Sequence, residues 1–535
     1  MPITRIPYRR TGYFSSLICD LVDQDPVLKS RVADFPSMES FEAQIERKQG
    51  QYIQYNRDQL VASLQQQYSQ VNNTSAVNES IDLLAKSTTF TVTTGHQLNL
   101  FTGPLYFIYK IVSTINLCKQ LKQAYPKQDF VPIYWMASED HDFDEISFFN
   151  FQNKKIKWTK EASGAVGRLS VEDLAPLLKV FEHSIGQNDA AKELKQIISS
   201  TYRNSTTLGE ATFKLVHQLF GKEGLVVLDA DNPDLKRLFI PYINEDLSES
   251  TCHKKVNSSI TWLTENYSSQ YVPQVNPREI NLFYLTENSR ERIVRTPKGF
   301  ETVDGVFRFS TDEMKKEVLS HPERFSPNVL MRPLYQEVIL PNLCYIGGGG
   351  ELAYWLELKS YFDSQKVTFP ILLVRNSAVL VSQKLSDKIA RLDLHIQDLF
   401  LKRTPLINKK IRQISNIELD LQSFKDKLED QFSELEALVS QTDRSFGGAV
   451  AAQRQKQFKG IDVLEKRLLL AQKKKLVDHV ERLSVLHESL FPGDSLQERQ
   501  MNFFEFYLIY GQDLLPELFN LLDPLEQEFS WITLP

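Results

Sequence analysis

Between about residue 87 and residue 375, short β-rich apolar runs alternate with helical patterns, and this alternation restricts the fold more than any other feature of the chain. The clearest runs are 88–94 (TTFTVTT), 131–137 (VPIYWMA), 225–229 (LVVLD) and 370–375 (PILLVR), each ending at polar or glycine residues. Near-continuous apolar strands separated by helices belong to a parallel sheet covered on both faces. The expectation is an α/β, Rossmann-like core over 87–375. Two stretches, about 146–215 and about 252–330, interrupt the pattern, and the second holds further strand-like pieces at 281–286 and 300–308. They read as insertions that build a substrate-facing cap.

The flanks differ. Residues 1–86 are polar, Gln-rich and patterned as helix, with spaced apolar positions such as Phe41, Ile45, Leu60 and Leu64. Beyond 375, Ile414, Ile417, Leu421, Phe424, Leu428, Leu435 and Leu438 follow a 3-4 spacing in which Gln431 is the one polar occupant. That is a heptad seam. It stops at 442–448 (TDRSFGG), and a second apolar stripe, drifting off strict heptads, runs from Ile461 to Leu490. The reading is an antiparallel coiled-coil arm over 376–491 that turns at Gly447-Gly448. Pro492-Gly493-Asp494 then ends the arm, and 492–535 is expected as a helical tail packed on the core.

A chain of 535 residues is long for one domain, so about two or three are expected. Hydrophobic residues at 42% and charged residues at 24% leave ample material for cores. A net charge of -6 argues against a dedicated nucleic-acid binder. No run of roughly 18 apolar residues suits a membrane span, and the N-terminus lacks a signal-peptide core. Cys19, Cys118, Cys252 and Cys344 are scattered without a CxxC pair, as suits a reducing cytoplasm.

Three segments carry candidate chemistry. Thr94-Gly95-His96-Gln97, followed by Gly103-Pro104, lies where a predicted strand gives way to a helix over about 104–121. Strand carboxyl ends and helix N-termini receive anionic ligands in such sheets. Gly95 would admit a ligand close to the backbone, and His96 and Gln97 offer donors; an ordinary strand-to-helix turn fits the spacing equally well. Next, Ser138-Glu139-Asp140-His141-Asp142-Phe143-Asp144-Glu145 gathers five carboxylates around one histidine directly after a predicted strand. The group can bind a divalent metal, raise the imidazole's pKa or supply an acid/base pair; the competing reading is an acid-rich helix start. Third, Tyr345-Ile346 leads into Gly347-Gly348-Gly349-Gly350, a main-chain nest suited to an anion or to close approach of a ligand, with a flexible hinge as the competing reading.

Weaker signals accompany them. Asp229 and Asp231 end a strand and can touch a ribose or cap a helix. Arg278 and Arg332 can take a carboxylate bidentately or form structural ion pairs. Lys473-Lys474-Lys475 gives the arm a basic face, most simply a solvated one.

In this order and with their flanks, the segments resemble the bacillithiol-biosynthesis cysteine-adding enzyme family. The similarity covers 95–111 (GHQLNLFTGPLYFIYKI), 132–146 (PIYWMASEDHDFDEI), 224–238 (GLVVLDADNPDLKRL), 277–285 (PREINLFYL), 332–359 (RPLYQEVILPNLCYIGGGGELAYWLELK) and 496–515 (LQERQMNFFEFYLIYGQDLL). The resemblance implies a Rossmann-type core with connecting insertions and a coiled-coil arm, commonly as a homodimer. It also implies a ligase that joins L-cysteine to the amino group of glucosaminyl-malate. A distant likeness to class I aminoacyl-tRNA synthetases and to the mycothiol ligase implies ATP or another nucleotide as cofactor, with Gly95-His96-Gln97 standing in the place of their HIGH-type motif. A KMSKS-type signature and a cysteine-based zinc site are both absent from the sequence.

On this reading Glu139, Asp140, His141 and Asp142 are the catalytic candidates, a member of 139–145 acting as base on the sugar amine. Gly95, His96, Gln97, Gly103, Asp229, Arg278, Arg332, Tyr345 and Gly347–Gly350 are the candidates for nucleotide or substrate binding. No metal is assigned. The rival expectations are a non-catalytic nucleotide-binding scaffold with a partner-recruiting arm and, more remotely, a tRNA-related enzyme.

Overall fold

Five parallel strands form the central sheet: β1 (Thr89–His96), β2 (Asp129–Met136), β3 (Val226–Asp229), β4 (Asn342–Gly347) and β5 (Ile371–Val374). The computed structural model describes residues 2–69, 71 and 74–535; Met1, Gln70, Asn72 and Asn73 of the expected N-terminal helical segment lie outside the described residues. Across the sheet the strands run in the order β5-β4-β1-β2-β3. The chain therefore reverses its direction of winding between β1 and β4, which makes their carboxyl ends the topological switch point of a Rossmann-like sheet. His96, Met136 and Asp229 stand abreast at these ends.

Threonine-rich β1 occupies the centre of the sheet with three of its four threonine hydroxyls satisfied there, that of Thr89 being buried without a partner. Thr91 and Thr93 donate to Asn342 Oδ1 at 3.2 and 2.8 Å, and Thr94 donates to the Ile346 carbonyl at 2.8 Å. Helix α1 (Tyr106–Ala124) connects β1 to β2 and is buried along most of its length, as its all-round apolar sequence requires.

The insertions lie around the sheet. Between β2 and β3 stand a hairpin (Phe148–Phe151 with Lys154–Lys157) and the helices Ala175–Ser184, Asp189–Ile198 and Leu208–Phe220. Between β3 and β4 an antiparallel five-stranded sheet is built from Leu282–Leu285, Arg290–Thr296, Gly299–Thr302, Arg308–Phe309 and Phe325–Pro327. The single run expected at 300–308 is two strands, separated by a turn in which Thr302 and Asp304 are hydrogen-bonded and Gly305 has φ +72°.

Both termini depart from an all-helical reading. Ile3–Pro7 pairs antiparallel with Glu528–Leu534, and Ala378–Ser382 joins that strand in parallel. The alternating aromatic and β-branched residues of FSWITL suit a half-covered sheet better than a helix. The helical tail thus ends in a strand that ties the two chain ends together.

The arm also differs in detail. Ile414 ends a separate helix (Arg403–Ile414), so the seam is interrupted before the helix Gln422–Val439 begins. That helix packs antiparallel on Arg444–Lys475, bridged by Lys425 to Asp462 at 2.7 Å and by Glu429 to Arg454. The turn falls at 440–443. Asp443 caps the second helix by accepting from the Ser445 amide at 2.9 Å, which places Gly447 and Gly448 inside the helix rather than in the turn. A break at Leu476 separates Lys475 from the last helix, Val477–Leu490, and accounts for the drifting stripe. The seam is only partly covered: Phe424 and Leu464 are more than half exposed, and Leu435 and Leu438 are exposed as well.

Among the described residues no helix is long and apolar enough to cross a membrane. All four cysteines are buried and free.

Candidate active site

A cavity of about 680 Å³ opens at the switch point, floored by the carboxyl ends of β1, β2 and β4 and roofed by the inserted antiparallel sheet. It draws together Gly95, His96 and Gln97 with Glu139, Asp140, His141, Arg278, Arg332 and Tyr345. A neighbouring cavity of about 690 Å³ takes Gly103 and Asp142 and shares Gln97, Tyr106 and Glu145 with the first.

The segment after β1 serves two purposes. A Cβ on Gly95 would come within 3.3 Å of the Tyr345 hydroxyl, so the glycine makes room for a side chain of the site. The Gly95 carbonyl accepts from the buried Nζ of Lys110 at 2.8 Å. His96 packs edge-on to Tyr106, with ring centroids 5.4 Å apart, and its Nε2 is buried with no hydrogen-bond partner. Burial, and then the charges of Lys110 and Arg375, push this imidazole well below its ordinary pKa, so it is neutral at pH 7. Gln97 Nε2 donates to Asp140 Oδ2 at 3.0 Å. Gly103 sits at φ +60° in a turn whose carbonyls at 101 and 103 both accept from Asn502, each at 2.7 Å. Its part is to shape the turn.

In the acidic cluster each member has its own environment. Glu139 binds the buried Nζ of Lys236 at 2.6 Å and accepts from Ser326 Oγ at 2.5 Å. Burial favours protonating Asp140, but hydrogen bonds from Gln97 and the His141 amide and the charge of Arg290 outweigh it and hold the carboxyl well below the usual range. Asp142 is a helix cap, accepting from the Glu145 amide at 3.4 Å. Asp144 is exposed beside Lys157. Among the described residues no three His, Cys, Asp or Glu side chains converge as a metal site.

The glycine run is not a nest. Gly347 closes β4, Gly348 caps the helix Gly349–Trp355, and none of the four has a positive φ. Space beside Gly347 and Gly349 is filled by Leu352, Glu351 and Ile18. The run tightens the strand-to-helix join, while its neighbours face the cavity: Tyr345 Oη donates to Glu351 Oε2 at 3.1 Å, and Glu351 also pairs with Lys110. The Arg332 guanidinium lies 5.6 Å from the Trp135 ring centre and 5.7 Å from that of Tyr345. It spends one nitrogen on Gln336 and leaves Nη2 buried and unpartnered. Arg278 is exposed on the rim. Asp229 stands just behind the wall, 2.5 Å from Ser138 Oγ; burial, and then Asp231, raise its pKa to about 6. The helix that follows is capped by Asn232, and Asp231 instead receives Arg168 at 2.7 Å.

Sequence reading missed Lys110, Glu351, Lys236 and Arg290. A lone lysine inside the apolar run LYFIYKIVSTI is a usable signal for Lys110. No local pattern marks Arg290. Held by Ser326 Oγ and the Pro327 carbonyl, both at 3.1 Å, it lies on the face of Phe283 and brings Nη1 within 2.8 Å of His141 Nδ1.

Comparison with known families agrees with this architecture in both halves. Residues 1–376 match the model described as "Bacillithiol biosynthesis BshC, N-terminal Rossmann-like domain", and 378–534 match "Bacillithiol biosynthesis BshC, C-terminal coiled-coil domain". The chain belongs to the BshC family. A BshC relative from Flavobacterium johnsoniae is 51% identical over 534 residues, covering 100% of both chains. Another, from Christiangramia forsetii, is 50% identical over 537 residues, covering 100% of this chain and 99% of its own. More distant is a BshC protein of Bacillus cereus, 28% identical over 492 residues, with 89% and 90% covered. All three carry the name "Putative cysteine ligase BshC".

Proposed function

We propose that this protein is the cysteine ligase of bacillithiol biosynthesis, joining the carboxyl of L-cysteine to the amine of glucosaminyl-malate with loss of water. The observation that carries the reading is the switch-point cavity, where two polar nitrogens, His96 Nε2 and Arg332 Nη2, are buried without partners. An unpaired buried polar atom is costly unless a ligand completes it. A guanidinium between two aromatic rings suits a carboxylate or a phosphoryl oxygen.

Condensing a free carboxylate with an amine in water requires activation of the acyl group, and ATP or another nucleotide would supply it. His96, Arg332 and Gln97 are the residues that would hold its anionic part. The neutral state of His96 suits a hydrogen-bonding role rather than a charged one. Arg278, exposed on the rim, would meet a substrate carboxylate. A cysteine substrate and a thiol product suit a reducing cytoplasm.

The exposed seam residues Phe424 and Leu464 of the arm support a homodimer formed through the coiled coil. The same surface and the same cavity would serve the nucleotide-binding scaffold alternative; the ligase name carried by the relatives favours the enzyme.

The test is direct. Purified protein with cysteine, glucosaminyl-malate and ATP is assayed for bacillithiol by mass spectrometry, beside thiol profiles of a deletion strain. Product in vitro and glucosaminyl-malate accumulating in the strain are expected. A deletion strain with normal bacillithiol would overturn the reading.

A further inference from the structure

We infer that Arg290 is a positioning residue that fixes His141 as its Nε2–H tautomer, so that His141 works in the cavity as a hydrogen-bond donor to a substrate oxygen and not as a base. The contact that decides this is the 2.8 Å separation between Arg290 Nη1 and His141 Nδ1. A guanidinium has only donors and keeps its charge in proteins. Nδ1 must therefore accept, and the ring's single proton resides on Nε2. Asp140 Oδ1 lies 3.6 Å from Nδ1, too far to compete as an acceptor for a proton there.

Arg290 has little freedom to withdraw. Its Nε donates to Ser326 Oγ, its Nη2 donates to the Pro327 carbonyl, and its plane lies 3.9 Å from the Phe283 ring centre. Ser326 in turn is held by Glu139, itself paired with Lys236. The acidic cluster thus supports the arginine that orients the histidine: Glu139 through Ser326, and Asp140 by accepting from the His141 amide at 2.7 Å. Arg290 reaches His141 from the inserted sheet, 149 residues further along the chain.

The half-exposed ring lines the cavity, and its Nε2–H is occupied by no hydrogen bond among the described residues. A neutral N–H donor suits an oxygen that carries or develops negative charge, such as the carboxyl oxygen of the acyl substrate. That choice of ligand atom rests on the ligase reading; the tautomer does not.

The experiment uses the full chain labelled with 15N-histidine, the His141 signals being assigned by their loss in His141→Gln. Wild type is expected to show an unprotonated Nδ1 and a protonated Nε2. Arg290→Lys, which keeps a donor, should preserve that signature, and Arg290→Leu should populate Nδ1–H. A wild-type Nδ1–H ring, or an Arg290→Leu spectrum identical to wild type, overturns the inference. In ligation assays His141→Ala should lose roughly 100-fold or more, the size of one oxyanion donor. His141→Gln, whose amide restores a donor near Nε2 but cannot act as a base, should lose less than about tenfold on the same scale. Equal losses in the two variants overturn the donor role. A wild type that forms no amide yet keeps the Nε2–H signature counts against the ligase reading and supports the assigned tautomer.

Discussion

Lys110 Nζ donates to the carbonyl oxygen of Gly95 across 2.8 Å, so a buried cation on the crossover helix holds the turn at the end of the central strand. The same ammonium pairs with Glu351 at the far side of the switch point. One side chain therefore links β1 to the helix that follows β4.

Lys110→Met would leave the Gly95 carbonyl unpaired and Glu351 without its cation. With Lys110 only 1% exposed, the expected cost is roughly 2–4 kcal/mol. A lowered thermal midpoint, together with lost ligation, is the expected result; an unchanged midpoint would mean that the contact carries no load.

Asp229 makes stability depend on pH. Its folded pKa is about 6, raised first by burial, so between pH ~4 and pH ~6 the folded protein holds a proton that the unfolded chain has released. Stability is therefore greatest below the unfolded value and falls as pH rises through the folded one, by about 3 kcal/mol in all. Asp229→Asn should raise the melting temperature at pH 7.5 and leave it unchanged at pH 4, as calorimetry at the two pH values would show.

Arg332→Met removes the guanidinium whose Nη2 is buried in the cavity without a hydrogen-bond partner. Charge-assisted hydrogen bonds to an anion contribute about 1.5–3 kcal/mol, so the KM for an anionic substrate should rise roughly 10- to 100-fold. Steady-state kinetics on each substrate in turn would identify which anion Arg332 meets. Unchanged KM values for all of them would remove Arg332 from the site.

Glu498 and Arg375 form a fully buried pair at 2.7 Å, and Glu498 also accepts from the Ser377 hydroxyl at 3.1 Å and the Ala378 amide at 3.0 Å. This carboxylate ties the tail to the end of the core. Glu498→Gln should destabilise by about 3 kcal/mol or more. In limited proteolysis the tail after residue 492 should be cut first, whereas wild-type resistance would argue against such an anchor.

The sheet was legible in the sequence because a parallel strand buried on both faces must be apolar almost continuously, and 88–94, 131–137, 225–229 and 370–375 are. The antiparallel arm could be read for a similar reason, since heptad spacing is a local property of a helix. Its turn was misplaced because Gly447 and Gly448 suggest flexibility, while the nearby Asp443 cap decides where the helix starts. Four glycines suggested a nest, yet a nest depends on φ, and the packing of Ile18 and Leu352 keeps this run in ordinary strand and helix geometry.

By itself, then, the sequence determined the Rossmann-like core, the coiled-coil arm and which strand ends would carry His96 and His141, because each follows from patterns a few residues long. Tertiary structure alone decided the strand order that puts the switch point between β1 and β4, the pairing of Lys110 with Glu351, and the meeting of Arg290 with His141. Those relations join residues far apart in the chain, and no local periodicity reports which distant side chain will supply the partner that a buried polar atom requires.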